Sequence, residues 1–329
     1  MTTMLLASTG GHLAELHELR PRLGIGDDYC WVTFDTPQSR SLLAGEPVIH
    51  VPPATSRDVV GTLRDYVAAR RLLAGGRFTR VISTGASVAV SFFVPAVRAG
   101  VECHYIESAT RTHAPSLSGR LVARLPGVHL HTQYAAWAGQ RWRFGGSVFD
   151  GHIARQRPAP RPVGKVVVAL GTHEKFRFPR LLSSLVRILP DSADVLWQVG
   201  STEIPGMPAG ARRHVPHAEM QQAMREADVV VTHAGVGSAL AAMRTGKRAI
   251  YVPRRRRHSE HVDDHQVAVA RELDTRGLVL AREADEITAG DLAAAASWEV
   301  RSRSAVTPFR LGAASGREER AAGLDRIAL

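Results

Sequence analysis

Residues 228–238 read DVVVTHAGVGS, and this stretch decides the fold. Asp228–Thr232 is a short valine-rich run of the kind that forms a fully buried strand. His233-Ala234-Gly235-Val236-Gly237-Ser238 follows it, and a helical pattern then runs over Ala239–Thr245. A strand feeding a glycine-rich turn and a helix is the building unit of a parallel sheet. The amides of Gly235, Gly237 and Ser238 fall at a helix start, where unpaired N–H groups and the helix dipole suit a pyrophosphate with no metal. Tight packing is the competing use of such small residues. A second turn of the same kind, Leu170-Gly171-Thr172-His173, lies in the same half and favours the phosphate.

Outward from that stretch the unit repeats along the whole chain. Strand runs are expected at Met4–Ser8, Tyr29–Phe34, Val48–Val51, Arg80–Ser83, Cys103–Ile106 and Val128–His131. Further runs follow at Lys165–Leu170, Asp194–Val199, Arg213–Val215, Arg248–Val252 and Gly277–Leu280. Helical patterns such as Asp58–Leu73, Arg180–Leu189, Glu219–Ala227 and Asp264–Leu273 separate them. This alternation predicts an α/β protein with two doubly wound parallel-sheet domains. Pro158, Pro160, Pro162 and Gly164 break the pattern, so residues 156–164 read as a linker between domains 1–155 and 165–300. Residues 301–329 read as an arginine-rich helical tail that packs back on the first domain or frays.

Composition narrows the class. The chain has 329 residues, 44% hydrophobic and 22% charged, which suits about two globular domains and excludes disorder. Cys30 and Cys103, the two cysteines, cannot build a disulfide framework, and a reducing cytoplasm is the simplest setting. The N-terminal run carries no basic segment of the signal-peptide kind. The longest apolar stretch, Ala86–Val97, is broken by Ser87, Ser91 and Pro95 and falls short of the ~20 residues a spanning helix needs. The net charge of +11 is spread over both halves, which argues against a nucleic-acid partner and favours phosphates or an acidic membrane surface.

Two more segments carry chemistry. Ser8-Thr9-Gly10-Gly11-His12 follows the first strand and precedes a helical run over Leu13–Leu23, so Gly10 and Gly11 let a ligand approach the backbone and His12 can face a cleft. The G-x-G-x-x-G dinucleotide spacing fails there. A histidine that merely braces the turn is the alternative for His12. Arg254–Gln266, RRRRHSEHVDDHQ, packs Glu260, Asp264, His265 and Gln266 before a helix, where they can read sugar hydroxyls. His258, His261 and His265 have helical metal-ligand spacing, but no partner carboxylate pattern supports a site, and no metal is expected. The four arginines also suit a solvated loop.

His233–Ser238, Gly246-Lys247 and Glu260–Gln266 resemble the catalytic subunit of the lipid-linked chitobiose-forming N-acetylglucosaminyltransferase and, more closely, its bacterial exopolysaccharide relatives. Ser8–His12, Tyr105-Ile-Glu-Ser108, Arg111 and Ser116–Arg120 resemble the partner subunit of that enzyme. The chain thus resembles a fusion of the two over roughly residues 3–285, and more distantly the bacterial lipid II-forming enzymes of glycosyltransferase family 28. The resemblance implies a GT-B fold, two Rossmann-like domains facing a cleft, with a nucleotide-sugar donor held by the second domain and a hydroxyl acceptor by the first. It implies donor contacts from the loop around His217 and from Gly171, Thr172, His233, Gly235, Gly237, Ser238, Glu260, Asp264, His265 and Gln266. On the acceptor side it points to Gly10, Gly11 and Arg111, with His12 or Glu107 as the base. Where relatives carry an acidic residue for ribose, this chain has Ala241. It also lacks the N-terminal anchor of the eukaryotic partner subunit, so any membrane contact is expected to be peripheral, at the inner face.

The expected reaction is inverting transfer of N-acetylglucosamine or a related hexose from a UDP-sugar, without cofactor. The acceptor is open between a lipid-linked sugar, which would use Arg111, Arg120, Arg124 and Arg141-Trp142-Arg143-Phe144, and a soluble metabolite. Rival readings are a UDP-sugar 2-epimerase of the same architecture, an NAD-dependent dehydrogenase using Asp35, and a nucleotide-sugar-binding scaffold without catalysis.

Overall fold

The computed structural model describes residues 2–52, 59–159, 162–172 and 175–312. Its first half runs β1 (Thr2–Leu6), α1 (Gly11–Leu19), β2 (Tyr29–Phe34), α2 (Pro37–Leu42), β3 (Val48–Val51), α3 (Val59–Ala74) and β4 (Phe78–Ser83). It continues with α4 (Ser87–Arg98), β5 (Glu102–Ile106), α5 (Leu117–Val122), β6 (Val128–Thr132), β7 (Trp142–Phe144) and β8 (His152–Gln156). The second half has β9 (Lys165–Ala169), α6 (Pro179–Ile188), β10 (Asp194–Gln198), α7 (His217–Glu226), β11 (Val229–His233) and α8 (Val236–Arg244). After these come β12 (Ile250–Val252), α9 (His265–Thr275), β13 (Leu280–Ala281), α10 (Ala289–Ala296) and β14 (Trp298–Ser302).

Two parallel sheets result, in the orders β3-β2-β1-β4-β5-β6-β7 and β10-β9-β11-β12-β13. In each, the order reverses at one point: between β1 and β4 in the first sheet, and between β9 and β11 in the second. Crevices beyond the strand ends at such reversals are where doubly wound sheets bind ligands. The loops of His12 and Gly85 flank the first, and those of Gly171 and Gly235 flank the second.

The strands are apolar on both faces because helices cover both, which is why they read as unbroken runs rather than alternations. Met4, Leu6, Val81, Phe92 and Phe93 fill one face of the first sheet, and Val166, Val168, Leu181, Leu185 and Val231 fill one of the second. Another cluster crosses between the halves: Leu13 and Leu16 of α1 share a core with Val236, Leu240 and Met243 of α8. Gly237 makes that approach possible, since a Cβ there would lie 3.3 Å from the Gly11 Cα.

Several sequence expectations need correction. Arg213–Val215 is no strand; pairing there is a single bridge from Gln198 to Arg212. The run expected over Gly277–Leu280 pairs only at Leu280–Ala281, and the helix expected over Leu13–Leu23 ends at Leu19, where Pro21 enters a 3-10 turn. The expected linker begins inside β8, which pairs antiparallel with β14 and so joins the end of the second half to the end of the first. Residues 301–302 are strand, and no helix occurs over 303–312. Phe309 N instead donates to Arg22 O at 2.8 Å and Arg310 N to Gly145 O at 2.8 Å, against the first sheet. The rest of the expected tail, 313–329, lies outside the described residues, as do Asp58, Pro160 and His173.

Candidate active site

Between the two reversal points lies a cleft of about 610 Å³. Its walls include Gly10, Gly11 and His12 from the first half, and Gly171, Thr172, His217, His233, Gly235, Gly237 and Ser238 from the second. These sequence-predicted residues come together although they are spread over more than 200 positions of chain.

His12 stands near the start of α1. Its Nδ1 lies 2.8 Å from the Thr84 carbonyl oxygen, beyond the end of β4. A carbonyl only accepts, so Nδ1 carries the hydrogen and Nε2 keeps its lone pair. The Thr84 hydroxyl returns the contact by donating to the His12 carbonyl at 2.7 Å. Gly85 permits the close fit: at φ +108, an added Cβ would lie 3.5 Å from His12 Cε1 and 2.8 Å from Tyr105 Oη. Burial holds the imidazole below its ordinary pKa; the Thr84 bond opposes this, and the Arg111 charge adds to it. His12 is therefore a neutral, oriented imidazole at pH 7.

Glu107 does not orient His12. Its Oε2 accepts from Ser116 N at 2.9 Å and from the Ser116 hydroxyl at 3.1 Å, while Oε1 accepts from Ser108 N at 3.2 Å. The carboxylate is buried beneath the cleft, braces the loop from Ser108 to Ser116, and leaves the orienting contact to the Thr84 carbonyl. Glu15 is the carboxylate that does line the cleft, and sequence reasoning missed it. It accepts from Ser108 Oγ, Ala109 N and Gln133 Nε2 at 2.7, 2.9 and 3.0 Å. Burial pushes its carboxyl up to about 7 against those bonds. Gly10, at φ +75, has both backbone groups engaged by the Gln38 side chain, at 2.6 and 3.1 Å.

The opposite wall is built from helix starts. Gly235 precedes α8, and among the described residues no side chain caps that helix, so the amides of Val236, Gly237 and Ser238 remain open to an anion. His233 packs under this turn between two glycines. A Cβ on Gly235 would lie 2.6 Å from its Nε2, and one on Gly171 2.9 Å from its Cε1. Burial pushes His233 down to about 3, so it is neutral. His217 opens α7 and faces the same space, and Ala241 stands in the same wall.

Within Arg254–Gln266 the structure corrects the sequence reading. Glu260 is buried in a two-pronged pair with Arg180, at 2.8 and 3.0 Å, and also accepts from Arg255 N at 2.9 Å. Gln266 accepts from Arg254 N at 3.0 Å, and Asp264 from Arg256 N at 2.9 Å. None of the three lines the cleft; they fix the backbone that carries Arg254. Arg254 itself does line it, although it is 3% exposed. Its Nη2 donates to Leu170 O at 2.6 Å and Phe176 O at 3.0 Å, and its Nε has no partner among the described residues. Burial pulls this guanidinium down to about 10, which leaves it charged at neutral pH.

His261 also faces the cleft, stacked on Phe176 at 4.5 Å. His265 does not line it, and its Nδ1 pairs with Asp263. His261, Asp263 and His265 could hold a metal, each offering a ligand atom within 4.8 Å of the others; His258 is not among them. Arg111 reaches over from the first half to Asp263, at 3.7 Å, and already supplies a cation there.

Residues 166–296 match the glycosyltransferase family 28 C-terminal domain. No curated protein matches the chain in sequence. Among solved structures it is similar to MurG of Acinetobacter baumannii, at 17% identity and TM-score 0.52 over 89% of each chain. It is similar to the glycosyltransferase SnogD from Streptomyces nogalater at 17% identity and TM-score 0.51, covering 90% of this chain and 93% of that one. It is also similar to the UDP-GlcNAc 2-epimerase of Methanocaldococcus jannaschii at 9% identity and TM-score 0.55 over 99% of each. At these identities the likenesses show the fold, which is GT-B: two Rossmann-like domains. The chain thus has a GT-B fold whose residues 166–296 match the glycosyltransferase family 28 C-terminal domain.

Proposed function

We propose that the chain transfers N-acetylglucosamine or a related hexose from a UDP-sugar to a hydroxyl acceptor by metal-independent inverting displacement. One observation carries this reading: the Thr84 carbonyl, 2.8 Å from His12 Nδ1, leaves Nε2 as the free nitrogen of a histidine in the cleft wall, and across the cleft stands the start of α8, which no side chain caps among the described residues. The acceptor hydroxyl donates to Nε2 and attacks the anomeric carbon. The carbon–oxygen bond to the diphosphate breaks on the opposite face, and the proton passes to His12. The imidazolium so formed keeps its bond to the Thr84 carbonyl. The departing diphosphate collects its charge against the amides of Val236, Gly237 and Ser238 and against Arg254, donors that are in place before the reaction starts. A cation built into the wall takes the part that a metal plays elsewhere.

The test is a thermal-shift and product screen with UDP, TDP and GDP and their sugars. UDP and UDP-hexoses should raise the melting temperature, by about 2.7 kcal/mol of added stability at a hundredfold excess over Kd. Accumulation of a 2-epimer with no acceptor would replace transfer by epimerisation, and binding without turnover of any kind would leave a scaffold.

The first half also offers a surface for peripheral membrane contact and thus for a lipid-linked acceptor. Leu117 is 73% exposed, and Leu121 and Phe144 lie exposed beside Arg120, Arg124 and Arg143. Arg141 is exposed there too, donating to Val128 O at 2.8 Å, whereas Trp142 is half-buried and packs edge-on to Tyr105 at 6.0 Å. Among the described residues no helix is long and apolar enough to cross a membrane. Sedimentation with vesicles containing anionic lipid should capture the protein at low salt and release it at high salt. Equal recovery in the supernatant with and without vesicles would favour a soluble acceptor.

A further inference from the structure

At the other end of the first sheet, away from the cleft, three side chains converge for which the transfer reaction has no use. Glu102 opens β5, and His104 lies two residues further on, so both point to the same face. His129 on β6 is the register partner of His104 and shares that face. Glu102 Oε1 sits 3.0 Å from His104 Nε2, and the two imidazole rings stack with centroids 4.8 Å apart. One ligand atom from each residue lies within 4.8 Å of the other two. Two ligands spaced by one residue on a strand, with a third on the neighbouring strand, is a rigid way to hold a transition metal, because the sheet fixes all three directions.

The surroundings complete the arrangement. His104 is buried, and its second ring nitrogen, Nδ1, is 3.2 Å from His131 Nε2. A ligating histidine needs such a partner for its other nitrogen, because that contact fixes tautomer and orientation. The second oxygen of Glu102 accepts from Arg80 Nε at 2.7 Å, which holds the carboxylate in place and leaves Oε1 to face the histidines. His129 and Glu102 are exposed, so an ion can enter and a fourth position stays open to water.

We propose that Glu102, His104 and His129 form a divalent transition-metal site, of the two-imidazole, one-carboxylate class that takes Zn2+, clamping the start of β5 to β6 at the end of the sheet away from the cleft. Magnesium and calcium, which want oxygen donors, are excluded by this ligand set. The proposal is independent of the sugar-transfer reading, since none of these residues lines the cleft.

The experiment is isothermal titration of the tag-free, chelator-treated full chain with ZnCl2, paired with melting curves. One equivalent of Zn2+ should bind and raise the melting temperature, while Mg2+ does neither. His129→Ala, a change at an exposed position, should weaken Zn2+ by about tenfold or more, as should Glu102→Gln. His265→Ala, which removes the other histidine group near the cleft, should leave this affinity unchanged. Absence of Zn2+ binding to the wild-type chain would overturn the proposal. So would binding that survives His129→Ala and Glu102→Gln but disappears in His265→Ala.

Discussion

Replacing His12 with alanine should lower turnover by about 10²- to 10⁴-fold, the usual contribution of a positioned general base, while donor affinity stays at the wild-type level. The split follows from geometry, since His12 belongs to the first half and the start of α8, the proposed diphosphate cradle, to the second. Burial and Arg111 hold the imidazole below its usual 6.5, so the acid limb of kcat/KM should fall below pH 6.5 and the rate should be flat at neutrality. Stability moves in the same direction: the unfolded chain takes up the proton first, so folding free energy is lost as pH drops through the lowered value. Melting curves at each pH must therefore accompany the rates. Glu107→Gln separates the two candidate bases. Because Glu107 accepts from Ser108 N and from both groups of Ser116, that change should lower the melting temperature and spare turnover per folded molecule. If Glu107→Gln removes activity at full stability while His12→Ala does not, the assignment is reversed.

The sequence made the glycine turns legible because strand, glycine and helix start are contiguous there. That local signal is enough to expect the two-domain parallel fold, and His12, Gly171, His233 and Gly235, all read from it, lie along one cleft. What it hid depends on distant chain. Thr84 acts through its backbone carbonyl, which has no side-chain signature, and it lies 72 residues from His12. Glu15 reads as one charge on an amphipathic helix until Ser108, Ala109 and Gln133 close over it. Glu260 and Gln266 were read as ligand contacts from their polarity, yet their partners are the backbone and side chains around them. The short β7 and the antiparallel pair of β8 and β14 escaped because three to five residues carry too little periodicity. Arg254 was lost inside a run of four arginines, where a solvated loop is the ordinary expectation. Its burial is decided by carbonyls 84 and 78 residues away.

Arg254 leads to the second large effect. Replacing it with methionine, of similar reach but without charge, should weaken UDP and UDP-sugar binding by roughly ten- to a hundredfold, the loss of about 1.5–3 kcal/mol expected for a charged hydrogen bond. The argument rests on an imbalance of charge. Glu260 is the carboxylate whose charge acts on Arg254, but Arg180 already neutralises it through two bonds, and His233 is held neutral. The buried guanidinium keeps two carbonyl acceptors and the Phe178 ring 5.5 Å away, but no carboxylate of its own, and its Nε–H is without a partner among the described residues. Keeping a charge in that setting is costly unless something negative arrives to pair with it. A diphosphate lying against α8 would supply that partner. The substitution also strips Leu170 O and Phe176 O of a donor, so the variant should melt earlier, by about 1–3 kcal/mol of stability. The two consequences separate cleanly by titration calorimetry on protein that melting curves show to be folded. Reduced stability with wild-type UDP affinity would make Arg254 a brace for the Leu170 turn alone, and the amides of α8 would then carry the diphosphate unaided. Reduced affinity that added Mg2+ fails to restore would place the positive charge for the leaving group in the protein.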